Sequence, residues 1–132
     1  MKVRWTHNSL RLRISPSELA QLQQGEIVTE TLMLSPDGSW SAIIQPDSAL
    51  TNLILAAGTL RFLLAPSDLE RLSVPETEGV YFTTASEPPV RYFIEKDFPC
   101  IHPRADGAQE PATETFAPPA DFAQRKEGIE ED

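Results

Sequence analysis

Four basic side chains near the start of the chain are spaced so that they share one face of a β-hairpin. Residues 2–5 and 10–14 alternate apolar and charged side chains, which is the period of a half-buried strand. With a tight turn at residues 7–8, the strand register places four cations on the same face: Lys2, Arg4, Arg11 and Arg13. Arginine binds phosphate and carboxylate groups through paired donors, so this face is predicted to bind an anion. The alternative is that carboxylates of neighbouring strands, such as Glu30 or Glu95, neutralise it.

A second group of reactive side chains lies in residues 95–104, which read E-K-D-F-P-C-I-H-P-R. One hypothesis is a mixed metal site whose ligands would be Glu95, Asp97, Cys100 and His102. With one cysteine and two histidines in the whole chain, a structural zinc site is nearly excluded. A Cys100 nucleophile with His102 as its base is disfavoured, because residues two apart on an extended chain form no defined dyad. The favoured interpretation is structural, with a buried cysteine and a histidine that hydrogen-bonds the backbone.

Motifs that identify common enzyme classes are missing from the chain. It contains no G-x-G-x-x-G, P-loop, G-x-S-x-G or H-E-x-x-H pattern. We therefore predict no catalytic residues and no cofactor, and we expect a binding or interaction protein rather than an enzyme. The predicted partner of the basic hairpin face is an anionic small molecule or an acidic protein segment.

The charge distribution excludes several classes of partner. The net charge is −9, and residues 105–132 hold eight acidic and two basic side chains, against twelve and nine in residues 1–104. An acidic chain neutralises phosphates poorly, so we expect no nucleic-acid binding. No apolar stretch is long enough to span a bilayer, and the first residues lack the apolar core of a signal peptide. The single cysteine excludes an internal disulfide, and we expect a cytoplasmic protein.

The first hairpin leads into a helix that begins with a strong capping pattern. Ser15 is a good N-cap, Pro16 occupies the first helical position, and Glu18 completes an S-x-x-E capping box. Leu19 and Leu22 lie on one face of this helix and are predicted to pack in the core.

The chain repeats itself at an offset of 50 residues. Residues 9–22 align without gaps to residues 59–72, and six of the fourteen pairs are identical. Two further strands are predicted after each helix, so the scheme is ββαββ in about residues 1–48 and again in 49–97. In the second copy Ala65 stands at the N-cap position, where it caps poorly, so this helix is predicted to be shorter.

These patterns predict a single α+β domain over residues 1–104. Its antiparallel strands are expected to form a strongly curved sheet or a barrel with two short helices. The helices are expected to pack through four leucines: Leu19, Leu22, Leu69 and Leu72. Residues 105–132 lack apolar periodicity and are predicted to form a disordered acidic tail, because they bury too little apolar surface to offset their conformational entropy.

Two stretches resemble the motifs of a family of small bacterial proteins of unknown function. They are N-S-L-R-L-R at residues 8–13 and E-K-D-F-x-C-I-H-P-R at residues 95–104. The resemblance implies a bacterial cytosolic protein and directs attention to both groups of residues, but it implies no activity.

A likeness of overall plan to the triphosphate tunnel enzymes suggests an alternative. Those enzymes are also duplicated α+β units, and their antiparallel strands close into a barrel lined with charged side chains. Their hallmark is an E-x-E-x-K strand near the N-terminus, where this chain reads K-V-R-W-T at residues 2–6 without an acidic pair. A phosphate-handling enzyme with its site in a barrel lumen is therefore the alternative function.

Overall fold

The computed structural model describes residues 1–98 and 114–117, and the first of these ranges forms two helices and eight strands. In chain order they are β1 Lys2–Thr6, β2 Ser9–Ile14, α1 Pro16–Gln23, β3 Val28–Ser35, β4 Gly38–Gln45, β5 Asn52–Ala56, β6 Thr59–Leu63, α2 Pro66–Leu72, β7 Gly79–Thr83 and β8 Arg91–Lys96. The order ββαββ occurs twice, so the predicted element order and the α+β class are confirmed.

The strands form two four-stranded sheets rather than one. The first sheet has the order β1-β2-β8-β7 and the second has the order β3-β4-β6-β5. Each sheet therefore combines a hairpin from residues 1–48 (the first half) with a hairpin from residues 49–97 (the second half). The hairpins are antiparallel, but the central pairs β2–β8 and β4–β6 are parallel. The prediction of antiparallel strands therefore holds within the hairpins and is wrong for the two central pairs, whose strands are not joined by a tight turn and can pair in parallel.

The predicted barrel is also wrong. Within the described residues, each sheet ends in two edge strands, whereas a closed barrel has none. The inner faces of the two sheets instead meet in one core, where the rings of Phe62 on β6 and Tyr92 on β8 lie 5.0 Å apart. A phosphate-handling site in a barrel lumen therefore has no structural basis in this fold.

The two halves match in register and in the positions of their core residues. The pairing of Lys2 with Arg13 recurs 50 residues later between Asn52 and Leu63. The buried core consists of eight equivalent pairs, namely Leu10/Leu60, Leu12/Phe62, Ile14/Leu64, Leu19/Leu69, Leu22/Leu72, Val28/Val80, Ala42/Tyr92 and Ile44/Ile94. The similar sheets suggest an internal duplication.

Helix α1 begins as its sequence predicts. The Ser15 hydroxyl accepts a hydrogen bond from the Glu18 backbone N–H, and the Ser15 N–H donates to the Glu18 carboxylate at 2.9 Å. The predicted packing leucines of both helices are buried. Within the part of the chain that the structure describes, neither helix is long and apolar enough to cross a membrane.

Helix α2 lacks a side-chain cap at Ala65 and is seven residues long, one fewer than α1. A residue from outside the helix supplies the missing contacts. The Thr51 hydroxyl accepts a hydrogen bond from the Ala65 N–H at 2.9 Å and donates to the Asp68 carboxylate in the first turn. A hydroxyl that lies 14 residues away in sequence thus links the residues that a capping box would join.

Residues 114–117 contact the domain beside α1. The Phe116 N–H donates to the Asp97 carbonyl at 2.9 Å, and the Ser17 hydroxyl donates to the Glu114 carboxylate at 2.6 Å. Phe116 packs against the core, so this aromatic residue of the predicted tail docks on the domain. The rest of that tail, and the predicted domain boundary at residue 104, lie outside the described residues.

The distant cap of α2 predicts a measurable loss of stability. Thr51→Val should lower the free energy of unfolding by about 1 kcal/mol, since it removes one acceptor and one donor from the start of the helix. Ser15→Ala should cost a similar amount at α1. Urea unfolding measures both. The control is Thr83→Val on the exposed edge of β7, and a Thr51→Val loss no larger than that of the control contradicts the capping role.

Candidate functional site

The four predicted cations share one face of the first sheet. In the β1–β2 hairpin, Lys2 lies opposite Arg13 and Arg4 lies opposite Arg11, as the sequence predicts. Strand β8 runs parallel to β2 and adds Arg91 to the same face. Arg91 pairs with Ser9, which lies on the same side of β2 as Arg11 and Arg13. We call the surface formed by these five side chains the basic face: Lys2, Arg4, Arg11, Arg13 and Arg91.

One carboxylate lies at the centre of the basic face. Glu95 Oε1 is 3.0 Å from Arg11 Nε and 3.7 Å from Arg13 Nε. The Tyr81 hydroxyl donates to the other Glu95 oxygen at 2.9 Å. Among the described residues, Arg11 Nε–H has no well-aligned hydrogen-bond acceptor, so its pairing with Glu95 is mainly electrostatic. Two guanidinium groups therefore share a single carboxylate that also accepts from a phenol.

Glu30 and Glu95, the two carboxylates predicted to neutralise the cations, have different partners in the structure. Glu95 pairs with the basic face, whereas Glu30 lies on β3 in the second sheet and contacts the amino group of Met1. Hence part of the positive charge is neutralised by a neighbouring strand, as the alternative interpretation expected. That strand comes from the second half of the chain.

An aromatic ring supports the arginines. The guanidinium carbons of Arg11 and Arg91 lie 5.8 and 5.7 Å from the centre of the Phe93 ring, and the Tyr81 ring lies 5.2 Å from it. A guanidinium group over an aromatic face is attracted to the ring and keeps its in-plane N–H donors available. The ring therefore orients the arginine donors without using them.

Gly79 allows Glu95 to occupy this position. It pairs with Glu95 across the β7–β8 hairpin. A Cβ atom on Gly79 would lie 2.8 Å from the Ile94 carbonyl oxygen and 2.9 Å from Glu95 Cγ. Because these are closer than normal van der Waals contact, any larger residue at 79 would displace the strand or the carboxylate.

The predicted metal site is only partly described. Asp97 makes an ion pair with Lys2 at 2.8 Å, and Glu95 contacts the arginines. Cys100 and His102 lie outside the described residues. Within residues 1–98 and 114–117, no three metal-ligating side chains come together. The metal hypothesis therefore stays a prediction.

Sequence reasoning missed three residues of this face: Tyr81, Arg91 and Phe93. Each lies on β7 or β8, whose position beside the first hairpin depends on a parallel pairing more than 70 residues apart in sequence. The alternation of Arg91, Phe93 and Glu95 is visible as a strand pattern. It does not reveal which strand they accompany.

A second concave feature lies on the opposite, inner side of β1. It is an open cleft of about 590 Å³ between β1 and the β3–β4 hairpin. Its walls include Val3, Trp5, Glu30, Leu32, Leu34, Trp40 and Ala42. The two tryptophan rings lie 5.5 Å apart across the two sheets.

Residues 1–119 match the family model described as "Family of unknown function (DUF7009)". The chain belongs to this family. No curated protein and no solved structure matches it. The family match confirms the resemblance to a family of unknown function, and it covers both sheets of this DUF7009 protein together with residues 114–117.

The contact between Tyr81 and Glu95 predicts a change of stability at alkaline pH. Burial, and then the neighbouring Glu95 carboxylate, raise the pKa of Tyr81 well above its usual value near 10. Above pH 10 the unfolded chain therefore loses the Tyr81 proton while the folded DUF7009 protein keeps it, so stability falls as pH rises.

Tyr81→Phe should remove this part of the pH dependence. At pH 7 it should cost about 0.5–1.5 kcal/mol through the lost hydrogen bond, and the cost should shrink between pH 10 and 11. Urea unfolding of both proteins from pH 7 to 11 measures the difference. Curves that stay parallel over this range would show that Tyr81 titrates as it does in the unfolded chain.

Proposed function

We propose that this DUF7009 protein is a non-catalytic binding protein whose basic face binds an anionic ligand through Lys2, Arg4, Arg11 and Arg13, assisted by Arg91. The observation that carries the proposal is that Arg11 and Arg13 share the single carboxylate of Glu95. The ligand is expected to present a phosphate or carboxylate group, on a small molecule or on an acidic protein segment.

The shared carboxylate supports binding because Glu95 cannot accept hydrogen bonds from all the donors of Arg11 and Arg13. Each guanidinium group has five N–H donors, whereas Glu95 has two oxygens and uses one for Tyr81. The Lys2 side chain is half-exposed and can approach the same ligand. An added anion would relieve the repulsion between the like charges that face each other across the β1–β2 hairpin.

The chemistry of the basic face favours binding over catalysis. Arginine stays protonated at neutral pH, so it stabilises an anion but does not transfer a proton. The other groups at the centre of the face are an aromatic ring and a carboxylate that is already paired. The arginines can therefore hold a charged ligand, and the ring orients Arg11 and Arg91.

The second sheet supplies an internal comparison. Its positions equivalent to Lys2, Arg4 and Arg13 hold Asn52, Ile54 and Leu63. Arg61, the equivalent of Arg11, donates to Gln45 at 2.7 Å instead of facing a shared carboxylate. We infer that, if the halves arose by duplication, the basic face developed on one sheet only.

Anion binding can be measured by thermal unfolding with inorganic phosphate, tripolyphosphate, citrate and an acidic peptide. At ten times its dissociation constant, a binding anion should stabilise the protein by about 1.4 kcal/mol, and the melting temperature should rise. The double variant Arg11→Ala/Arg13→Ala should lose the rise. Arg61→Ala, the matched change on the second sheet, should keep it. The proposal is wrong if no anion shifts the wild-type protein, or if both variants respond alike.

Removing the internal carboxylate should strengthen binding. In Glu95→Gln, the two arginines lose their competing anion, so we expect tighter anion binding despite lower stability in the absence of ligand. Isothermal titration with tripolyphosphate at two salt concentrations checks this. The affinity should fall with added salt in both proteins, since surface charges are screened. Equal or weaker affinity in Glu95→Gln would place the bound anion elsewhere.

A further inference from the structure

The two halves differ where their inner faces should match. In the β7–β8 hairpin, Phe82 pairs with Tyr92 on the inner face of the first sheet. At the equivalent place in the β3–β4 hairpin, Glu30 pairs with Ala42. The registers make this equivalence explicit, because Tyr92 lies beside Leu10 on β2 and Ala42 lies beside Leu60 on β6. Two aromatic rings in one half thus correspond to a carboxylate and a methyl group in the other.

In the second half the rings fill the space between the sheets. Phe82 and Tyr92 stack with their centres 5.4 Å apart, at an angle of 30°. Phe62 meets both edge-on, with ring centres 6.0 and 5.0 Å away. This packing removes three aromatic side chains from much of their contact with water, which is the usual role of such a cluster.

In the first half the same place is the open cleft of about 590 Å³. Ala42, at its base, is buried, and Glu30 on its wall is about half-exposed. A volume of this size lies within the range of small-molecule sites, which is about 300–1,000 Å³. The cleft therefore occupies the position that two aromatic rings fill in the other half.

At the mouth of the cleft the difference is reversed, because here the first half has the aromatic side chains. Trp5 and Trp40 lie there, whereas the equivalent positions in the second half hold Leu55 and Val90. Trp5 remains 68% exposed although it is the largest apolar side chain in the first hairpin. Two indole rings at the mouth of a cleft provide faces on which another ring, or a cation, can stack.

We propose that this cleft binds a small planar aromatic molecule that bears an amine. Glu30 and Ala42 stand where the second half has Phe82 and Tyr92, and the space that this leaves fits an aromatic ring. The indoles of Trp5 and Trp40 stack against that ring. Glu30 accepts the ammonium group. The Met1 amino group also lines this cleft, where it pairs with Glu18 and lies 3.4 Å from Glu30 Oε1, so the ammonium group of the ligand shares Glu30 with it. The site lies on the inner side of β1 and is separate from the basic face, which attracts anions on the outer side.

The site can be tested by following the indole N–H resonances of the only two tryptophans during NMR titrations. The probes are tryptamine, indole-3-propionate and butylamine, which separate the contributions of ring and charge. Tryptamine should shift both resonances saturably. It should bind at least about fivefold more tightly than either other probe, because only tryptamine combines stacking with a cation near Glu30. No saturable shift, or equal binding of the anionic probe, overturns the proposal.

Refilling the cleft should abolish the response. Glu30→Phe introduces the equivalent of Phe82 at a half-exposed position that tolerates a ring. Ala42→Tyr introduces the equivalent of Tyr92. Trp5→Ala should weaken tryptamine binding at least fivefold, with Trp40 as the remaining reporter. Leu55→Ala is the matched control, because Leu55 is the exposed equivalent of Trp5 in the second half, and it should leave binding unchanged.

The two binding sites can fail independently. Phosphate-induced stabilisation through the basic face should persist in Glu30→Phe and Trp5→Ala, and a cooperative thermal transition without any ligand reports that these variants are folded. Analytical ultracentrifugation tests whether a second copy of the chain, rather than a small molecule, occupies the cleft. A wild-type dimer that Trp5→Ala converts to a monomer would show that the cleft is covered by a second copy of the chain, and would overturn the ligand proposal. Tryptamine binding by Glu30→Phe and Trp5→Ala at wild-type affinity would overturn it as well.

Discussion

The arrangement of this protein depends on the parallel pairing at the centre of each sheet. Strand β2 pairs with β8 and β4 pairs with β6, so each sheet contains one hairpin from each half of the chain. Neither half can complete a four-stranded sheet alone, and the core between the sheets forms only when both halves interlock. The same pairing brings Phe93 and Glu95, at the end of the second half, next to Arg11 and Arg13 in the first half.

The interlocked halves form two similar sheets, but their side chains differ outside the core. The eight equivalent pairs of core residues maintain the shared framework. Outside this core, the first sheet has basic residues where the second has Asn52, Ile54 and Leu63. Between the sheets, one end is filled by stacked rings and the other is an open cleft. Because the framework positions are matched, these departures are places where packing and stability do not require the residues observed, and the two binding sites that we propose would account for them.

The interactions that are local in sequence could be predicted in detail. The hairpin register, the capping box at Ser15 and the shorter helix after Ala65 all depend on residues within a few positions of one another. The element order and the α+β class follow from the same local patterns. The sequence also identified the four cations of the hairpin face and named Glu95 among their possible partners, because alternation along a strand determines which side chains share a face.

Only the tertiary structure decided which strands meet. The parallel central pairs, the absence of a barrel, the support of the arginines by Phe93 and the cleft at Ala42 all depend on contacts between residues far apart in the chain. An alternating pattern indicates that a strand has an apolar and a polar face. It does not indicate which strands lie beside it, because the backbone hydrogen bonds that join strands do not depend on the side chains. The sequence by itself determined the basic hairpin, the capping box of α1 and the repeat. Packing determined that Glu95 partly neutralises that hairpin, since a strand from the other half of the chain had to complete the sheet.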